Sequence, residues 1–434
     1  MPHTVLDAIH AEAVRLDGEN HDYDPVLEDI GERSFVLLGE ATHGTQEFYR
    51  MRADLTLRLI EEKGFDAVAV EADWPDAYRL NLFARGEGTD GAAQDAFQDF
   101  QRFPRWMWRN EEVLDFIERL RALNLDRARE RRVGFYGLDM YSLYRSAEAV
   151  VDYLSSVDEE QAMLALRQYA ALDHVRDPQR YGYEAALGLR PDCRDAVRER
   201  LLQLWRHAPD YLARDGRRAA DAYFFAERNA YVVASAESYY RAMFGSRAES
   251  WNLRDSHMVN TLFALQRYLC GLGGAGKIVV WAHNSHLGDA RATEMSQAGE
   301  CNVGQLVREQ AGQEHAWLVG FTTYTGTVTA AWEWDGEAER RQVRIAMPES
   351  YEALFHRSGL DRFYLPMNHE AAKVLSEPRL ERAIGVLYRT DTEYQSHYFT
   401  ASLARQFNAV FHLDETSAVE PMDVAEAPMQ VDSA

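Results

Sequence analysis

A carboxylate and an imidazole stand three positions apart in the segment LLGEATHGTQEF, which spans residues 37–48. Glu40 and His43 directly follow an apolar run and are flanked by Gly39 and Gly44, which permit a tight turn and a close ligand approach. A neutral imidazole can take a proton from water near pH 7, and a neighbouring carboxylate can orient the ring. The residue types of this pair therefore fit proton transfer, with the imidazole as the group that takes the proton.

Other apolar runs farther along the chain also end in carboxylates or imidazoles. The polar groups at these ends are Glu71, Asp73, Asp139, His283 and His286. Such groups are costly to bury without partners, so we expect several of them to partner one another. Asp73 and Asp139 fit a structural role as well as a chemical one, and we leave both out of the predicted site.

The elements that position these groups begin with a strand, a helix and a strand. SFVLLGE (34–40) and FDAVAVEAD (65–73) are predicted to be buried strands, and residues 47–64 carry apolar side chains at helical spacing up to a terminal glycine. A βαβ unit makes its two strands parallel. In an open α/β sheet, ligands bind beyond the carboxyl ends of the strands, which is where the predicted groups lie.

The same alternation continues along the chain and defines the fold class. A helix is predicted at 111–124, strands at 131–140, within 276–286, at 362–367 and at 382–389, and a hairpin or strand pair at 315–334. We expect an α/β fold with a mostly parallel sheet flanked by helices, and an antiparallel portion late in the chain.

Residues 143–270 differ from the rest because their long segments are helical in period. We interpret them as a large helical insertion that covers the carboxyl edge of the sheet. The α/β core then consists of residues 1–142 and 271–414. The acidic, aromatic-poor residues 415–434 are expected to be a disordered tail.

Composition excludes several classes of partner. The net charge of −23 disfavours nucleic acid and anionic membrane surfaces as partners. The sequence contains no run of 18 apolar residues, so no membrane span is expected. The three cysteines are far apart, and the N-terminal residues lack the cationic flank of a signal peptide. We therefore expect a cytoplasmic protein that acts on a small molecule; its oligomeric state is not predicted.

Four motifs together carry a resemblance to a known family. GEATHGTQEF, FDAVAVEADWPDAYRLN, WNLRDSHMVNTL and VVWAHNSHLG resemble the erythromycin esterase family, in order, between about residues 30 and 400. The resemblance implies an α/β sheet with a helical lobe and a cleft between them. It also implies macrolide resistance through metal-independent hydrolysis of the lactone, in which a histidine activates water.

Carried over residue by residue, the resemblance assigns roles to the predicted site. The general base falls on His43, the supporting acids on Glu40 and Glu71, the second histidine cluster on His283 and His286, and substrate-binding arginines on Arg52 and Arg254. It implies no metal and no cofactor. The residues alone do not divide the duties among the two glutamates and the later histidines.

Two other functions fit the same residues. The cluster of Glu40, His43, Glu71, His283 and His286 is a plausible ligand set for Zn²⁺ or Mn²⁺ in a metal-dependent hydrolase. A non-enzymatic protein could also use the cleft only to bind a small molecule. A serine hydrolase is disfavoured because the sequence has no G-x-S-x-G motif.

Overall fold

The buried apolar runs form one mixed β-sheet between two layers of helices. The structure is a computed structural model, and it describes residues 4–170, 172, 177–189, 193–213 and 216–422. The strands of these residues are β1 (Val14–Arg15), β2 (Phe35–Leu38), β3 (Ala67–Asp73), β4 (Gly134–Asp139), β5 (Ile278–Trp281), β6 (Ala316–Ala330), β7 (Glu339–Val343), β8 (Arg362–Pro366), β9 (Arg379–Arg382), β10 (Tyr398–Ala401) and β11 (Ala409–Thr416).

The helices are distributed along the whole described chain. They are α1 (Val5–Glu12), α2 (Asp24–Ile30), α3 (Gln46–Glu62), α4 (Trp74–Ala84), α5 (Ala93–Ala96), α6 (Glu111–Leu125), α7 (Leu143–Val157), α8 (Glu159–Tyr169), α9 (Pro178–Ala186), α10 (Arg194–Leu212), α11 (Gly216–Ala242), α12 (Arg247–Gly271), α13 (Asn284–Leu287), α14 (Val303–Ala311), α15 (Tyr351–His356), α16 (His369–Val374), α17 (Glu393–His397) and α18 (Leu403–Gln406).

The order of strands in the main sheet is β1-β8-β11-β6-β2-β5-β3-β4, with β7 paired to β6. The pairs from β11 through β4 are parallel, whereas β8 is antiparallel to β11, β1 to β8 and β7 to β6. Strands β9 and β10 form a separate antiparallel ribbon. The prediction of a mostly parallel α/β sheet with a late antiparallel portion is confirmed.

Strand β2 shows why the sheet is covered on both faces. All four of its residues are buried: Val36 and Leu38 pack with α3 in one apolar cluster, and Phe35 and Leu37 pack with α12 in another. Successive side chains of a strand point to opposite faces. A strand that is apolar on both faces therefore needs a helical layer on each side.

The helices α7–α12 lie between β4 and β5 in the chain and form the predicted helical lobe. Helices α7–α11 contribute to an apolar cluster that is distinct from the two clusters against the sheet. Helix α12 packs against the sheet, and its Trp251 and Arg254 reach a cavity beyond the carboxyl ends of the strands. The lobe thus covers this edge of the sheet.

Two predicted elements are wrong in detail. Residues 315–334 do not form a hairpin, because β6 is a single strand whose partner β7 begins at Glu339. Gly326 has a φ of +128°, and a Cβ there would lie 2.0 Å from the carbonyl oxygen of Thr416, so this glycine allows a close approach of β11. Residues 382–389 contain only the end of β9 and isolated bridges.

The predicted disordered tail starts later than expected. Residues 415 and 416 belong to β11, Ala418 bridges Thr45, and Pro421 bridges Asn110. The prediction of disorder is wrong for 415–422, because these residues gain backbone partners. Residues 423–434 lie outside the described residues.

No helix in the described part of the chain combines the length and the apolar composition that crossing a membrane requires.

Candidate functional site

The loop after β2 is held tightly between two neighbouring segments. A Cβ at Gly39 would lie 2.2 Å from Oδ1 of Asn284, and one at Gly44 would lie 1.9 Å from the carbonyl oxygen of Thr329. The His43 amide donates to the carbonyl oxygen of Ile384 at 3.2 Å. The two glycines therefore let the loop enter a space too narrow for side chains, and the loop fixes the backbone of His43.

Glu40 and His43 form a buried couple. The Nδ1 atom of His43 lies 2.8 Å from Oε1 of Glu40, and both residues are buried. With Nδ1–H donating to the carboxylate, Nε2 carries the lone pair that accepts a proton. Nε2 has no hydrogen-bond partner within the described segments, and the ring lies in the cavity wall. This is the arrangement that a general base requires.

Arg52 stands behind this couple. Its Nη2 atom lies 2.6 Å from Oε2 of Glu40, and its guanidinium packs over the rings of Tyr49 and Trp281. The side chain is 0% exposed and does not line the cavity. The expectation that Arg52 binds substrate is therefore wrong, since a sealed side chain cannot reach one. Arg52 instead neutralises and holds Glu40.

A second histidine–carboxylate couple joins the lobe to the sheet edge. His286 Nδ1 lies 2.9 and 3.0 Å from the two carboxylate oxygens of Asp255, which is fully buried on α12. On the other side of the ring, Nε2 lies 3.3 Å from Oε1 of Glu71. Trp251 stacks on the imidazole at 4.5 Å between ring centroids. His286 is thus enclosed on both ring nitrogens and one ring face.

Arg254 links Glu71 to Asp139. Its Nη2 atom donates to Oε1 of Glu71 at 2.7 Å and to Oδ2 of Asp139 at 2.7 Å. The second oxygen of Glu71 accepts the backbone amide of His283 at 2.9 Å. The end of β3, the end of β4, α12 and the turn after β5 are therefore tied together by one buried network of charges.

The charges in this network set one another's protonation. Burial opposes the ionised form of Glu71, but His286 and Arg254 outweigh it and hold the pKa of Glu71 well below its usual range. Burial also opposes the charged form of His286, yet the carboxylates of Asp255 and Glu71 raise the pKa of His286 to about 9. Arg254 Nη1, 3.0 Å from Nε2 of His286, could donate to it only if His286 were neutral. The two flanking carboxylates favour the cation, whose Nε2–H points to Glu71.

His283 is held in the opposite state. Its Nε2–H donates to the carbonyl oxygen of Ala41 at 3.2 Å, and its Nδ1 accepts from the amide and hydroxyl of Ser285. Burial, assisted by the neighbouring His43, lowers the pKa of His283 to about 3. The ring is therefore neutral, and its centroid lies 4.8 Å from that of His43. The His283 ring packs beside His43 without a free nitrogen.

A cavity of about 600 Å³ opens in front of these groups. His43, Glu71, His283, His286 and Arg254 all belong to its wall. The remainder of the wall is rich in aromatic side chains, which include Phe100, Phe103, Trp108, Tyr141, Trp251, Trp334 and Phe399. Apolar walls with a few convergent polar groups are typical of small-molecule sites.

The geometry of the donor atoms bears on the alternative of a metal centre. Among the described residues, the set of closely grouped ligand atoms is Asp17, His21 and Asp22, which is outside the predicted site. Glu40 is paired with His43 and Arg52, and Glu71 with Arg254 and the amide of His283. The carboxylates of Glu40 and Glu71 are thus engaged by arginines and neighbouring groups, whereas Nε2 of His43 faces the cavity.

The structure brings most of the predicted residues together and adds others. Asp139, which we left out, binds Arg254, and Asp255 holds His286. Asp255 lies within the helical WNLRDSHM segment, and the sequence pointed to it only through its position directly after Arg254. Its contact with His286, 31 residues away on α13, depends on tertiary packing and could not be read from local pattern.

Comparison with known proteins gives concordant matches. A family model described as erythromycin esterase matches residues 60–416. Erythromycin esterase type II of Escherichia coli is 22% identical over 429 residues, which is 93% of this chain and 94% of that protein.

Solved structures share the fold over nearly the whole chain. A succinoglycan biosynthesis protein aligns with a TM-score of 0.78 and 20% identity, covering 97% of this chain and 98% of that one. A protein from Bacillus cereus aligns with a TM-score of 0.79 and 18% identity, covering 96% of this chain and 98% of that one. A mutant of the erythromycin esterase EreC in its open conformation aligns with a TM-score of 0.68 and 16% identity, covering 94% of this chain and 96% of that one.

Proposed function

The chain belongs to the erythromycin esterase family, and from this premise we propose that it hydrolyses a lactone or ester with water activated by His43. Family membership supports an esterase-like hydrolase. The observation that carries the proposal is the Glu40–His43 couple, in which Nδ1 is bonded to the carboxylate and the ring lies in the cavity wall.

The proposed reaction proceeds by direct attack of water on the carbonyl carbon. Nε2 of His43 takes one proton while the water oxygen forms a bond to the carbonyl carbon, giving a tetrahedral oxyanion. Collapse of this intermediate breaks the bond to the ring or ester oxygen, and the proton on His43 passes to that leaving oxygen. The products are an alcohol and a carboxylic acid. Glu40 keeps the ring in its correct tautomer and stabilises the imidazolium.

Charge on the developing oxyanion needs a cationic group at the cavity. Arg254 fits this role because its side chain is 14% exposed and lines the cavity, whereas Arg52 is sealed. We assign substrate polarisation to Arg254. Glu71 holds Arg254 in place and His286 holds Glu71, so both are positioning residues. His283, whose two nitrogens are engaged by the protein, is a positioning residue as well.

The proposed substrate class is a macrolide, and the proposed biological consequence is macrolide resistance. Two observations support it: the similarity to an esterase named for erythromycin, and a cavity whose walls combine polar groups with several aromatic rings. No metal or cofactor enters the proposed reaction, since the ligand-type side chains are bonded to one another and to arginines. The cytoplasmic location stays a prediction.

Incubation of the purified protein with erythromycin, followed by mass spectrometry, tests the proposal. Hydrolysis is expected to add the mass of one water and to continue in the presence of EDTA. Loss of turnover on chelation, restored by a stoichiometric ion, would instead support the metal-dependent alternative. Saturable binding without any product would support the non-enzymatic binding protein.

A further inference from the structure

Strand β6 runs farther than its pairing with β2 requires. Residues 316–319 pair with β2, whereas residues 327–330 pair with β7 beyond the carboxyl end of β2. This distal part passes beside the base: the Thr329 amide donates to the carbonyl oxygen of Gly44 at 3.0 Å. The connection from β6 to β7 therefore starts next to the His43 loop.

Two tryptophans lie on this connection, and both are exposed. Trp332 is 42% and Trp334 48% exposed, although tryptophan has a large apolar surface that is usually buried in a folded protein. Their surroundings differ. The Arg341 guanidinium covers the ring of Trp332 at 4.7 Å, and this ring is outside the cavity wall. Trp334 is part of the wall.

Trp334 meets an aromatic ring from a distant part of the chain. Phe103, between α5 and α6, lies 5.0 Å from it between ring centroids at an interplanar angle of 63°. Phe103 is also part of the cavity wall. The β6–β7 connection and the segment before α6 thus join through an edge-to-face aromatic pair that faces the cavity and leaves apolar surface exposed.

We infer that Trp334 and Phe103 form an apolar rim that contacts the non-reacting part of the substrate and selects substrates of large apolar surface. The inference rests on the proposed function for the identity of the reaction and adds the residues that determine size preference. Exposed apolar surface next to a polar site is favourable only when a ligand covers it. Binding energy from such a remote contact distinguishes large substrates from small ones.

The tryptophan pair offers a matched experiment. Dissociation constants for erythromycin are measured by calorimetry in a His43→Asn background, which suppresses turnover. Adding Trp334→Ala is expected to weaken binding about tenfold, and Trp334→Phe to weaken it less, in proportion to retained aromatic area. Trp332→Ala removes an equally exposed ring from the same connection and is expected to leave the dissociation constant unchanged.

Turnover supplies the second readout. In the background with His43 intact, Trp334→Ala is expected to reduce kcat/KM for erythromycin more than for p-nitrophenyl acetate, which has far less apolar surface to place against the rim. Equal reductions for the two esters would show that Trp334 does not select for size.

The two hypotheses fail in different ways. If the protein hydrolyses neither ester but binds erythromycin in a Trp334-dependent manner, the proposed hydrolase is wrong and the rim stands. If Trp334→Ala and Trp332→Ala have the same effect on binding, or if erythromycin does not bind at all, the rim is overturned whether or not small esters are hydrolysed.

Discussion

The two histidine–carboxylate couples of the cavity use the same residue types but differ in how many ring nitrogens the protein engages. In the Glu40–His43 couple one ring nitrogen is bonded and the ring faces the cavity, whereas in the Asp255–His286 couple carboxylates flank both nitrogens. The second ring is held as a cation, with its pKa raised to about 9 by the surrounding acids against the cost of burial. A histidine can act as a base where the protein leaves one nitrogen unengaged, and it is held as a cation where carboxylates flank both nitrogens.

The largest effect should come from the first couple. We expect His43→Asn to lower kcat by about 10³- to 10⁴-fold, because removal of a general base typically costs up to this much. His10→Asn, at an exposed position on α1, is the matched control and should leave kcat unchanged. Steady-state kinetics on the hydrolysed ester measure kcat for both variants. A decrease in kcat of less than tenfold in His43→Asn would mean that another group activates water.

The second couple should matter first for stability. Glu71→Gln removes a buried negative charge that faces Arg254 and His286, and we expect a loss of about 3 kcal/mol or more in the free energy of unfolding. Urea denaturation measures it.

Glu381→Gln is the matched control, because Glu381 is equally buried but its pKa is raised well above its usual range by burial and by Glu352. Burial and Glu352 favour the protonated carboxyl of Glu381, so the amide replacement should cost less than about 1 kcal/mol. Similar costs for the two variants would show that the charge on Glu71 is not what stabilises the network.

A smaller effect tests the charge on His286 directly. Asp255→Asn removes one of the two acids that raise its pKa, so the pKa of His286 should fall below about 9, and kcat should decrease about tenfold as Arg254 and Glu71 rearrange. NMR titration of the ring and the pH profile of kcat report these changes. Asp289→Asn, a buried aspartate paired with Arg308, should leave both unchanged.

The smallest expected effect is a pH dependence of stability with two opposite slopes. Between pH about 6.5 and 9 the folded state holds a proton on His286 that the unfolded chain has released, so stability should fall as pH rises. Between about 6.5 and 3 the unfolded chain protonates His283 while the folded state does not, so stability should fall as pH drops.

Unfolding free energies at pH 5, 6.5 and 9 measure both slopes. His286→Gln should reduce the alkaline slope, to which Asp76, whose pKa burial raises to about 8, also contributes. His283→Gln should reduce the acidic slope, to which His257, His397 and His412 also contribute because burial lowers the pKa of each. An unchanged alkaline slope in His286→Gln would contradict the assignment of the cation.

The sequence predicted those features that depend on local pattern. Apolar runs located β2, β3, β4 and β5, and the polar residues at their ends led to His43 and Glu71 because parallel strands end at one edge. The sequence-based predictions were wrong where tertiary packing determines the position of a residue. Residues 315–334 were predicted to be a hairpin or strand pair, but β6 is a single strand in which Gly326 accommodates β11. Arg52 was expected at the substrate but is sealed behind Glu40. Asp255 and Asp139 became part of the network only through the packing of α12.

Strand β6 has one further consequence. The first residues of β6 pair with β2 and β11 inside the sheet, whereas the connection that follows its last residue carries Trp334 at the cavity. Insertions or replacements within residues 331–338 would leave the hydrogen bonds of β6 to β2 and β11 unchanged. Libraries confined to this short connection therefore offer a route to change which molecules the cavity accepts while the loop that carries His43 keeps its shape.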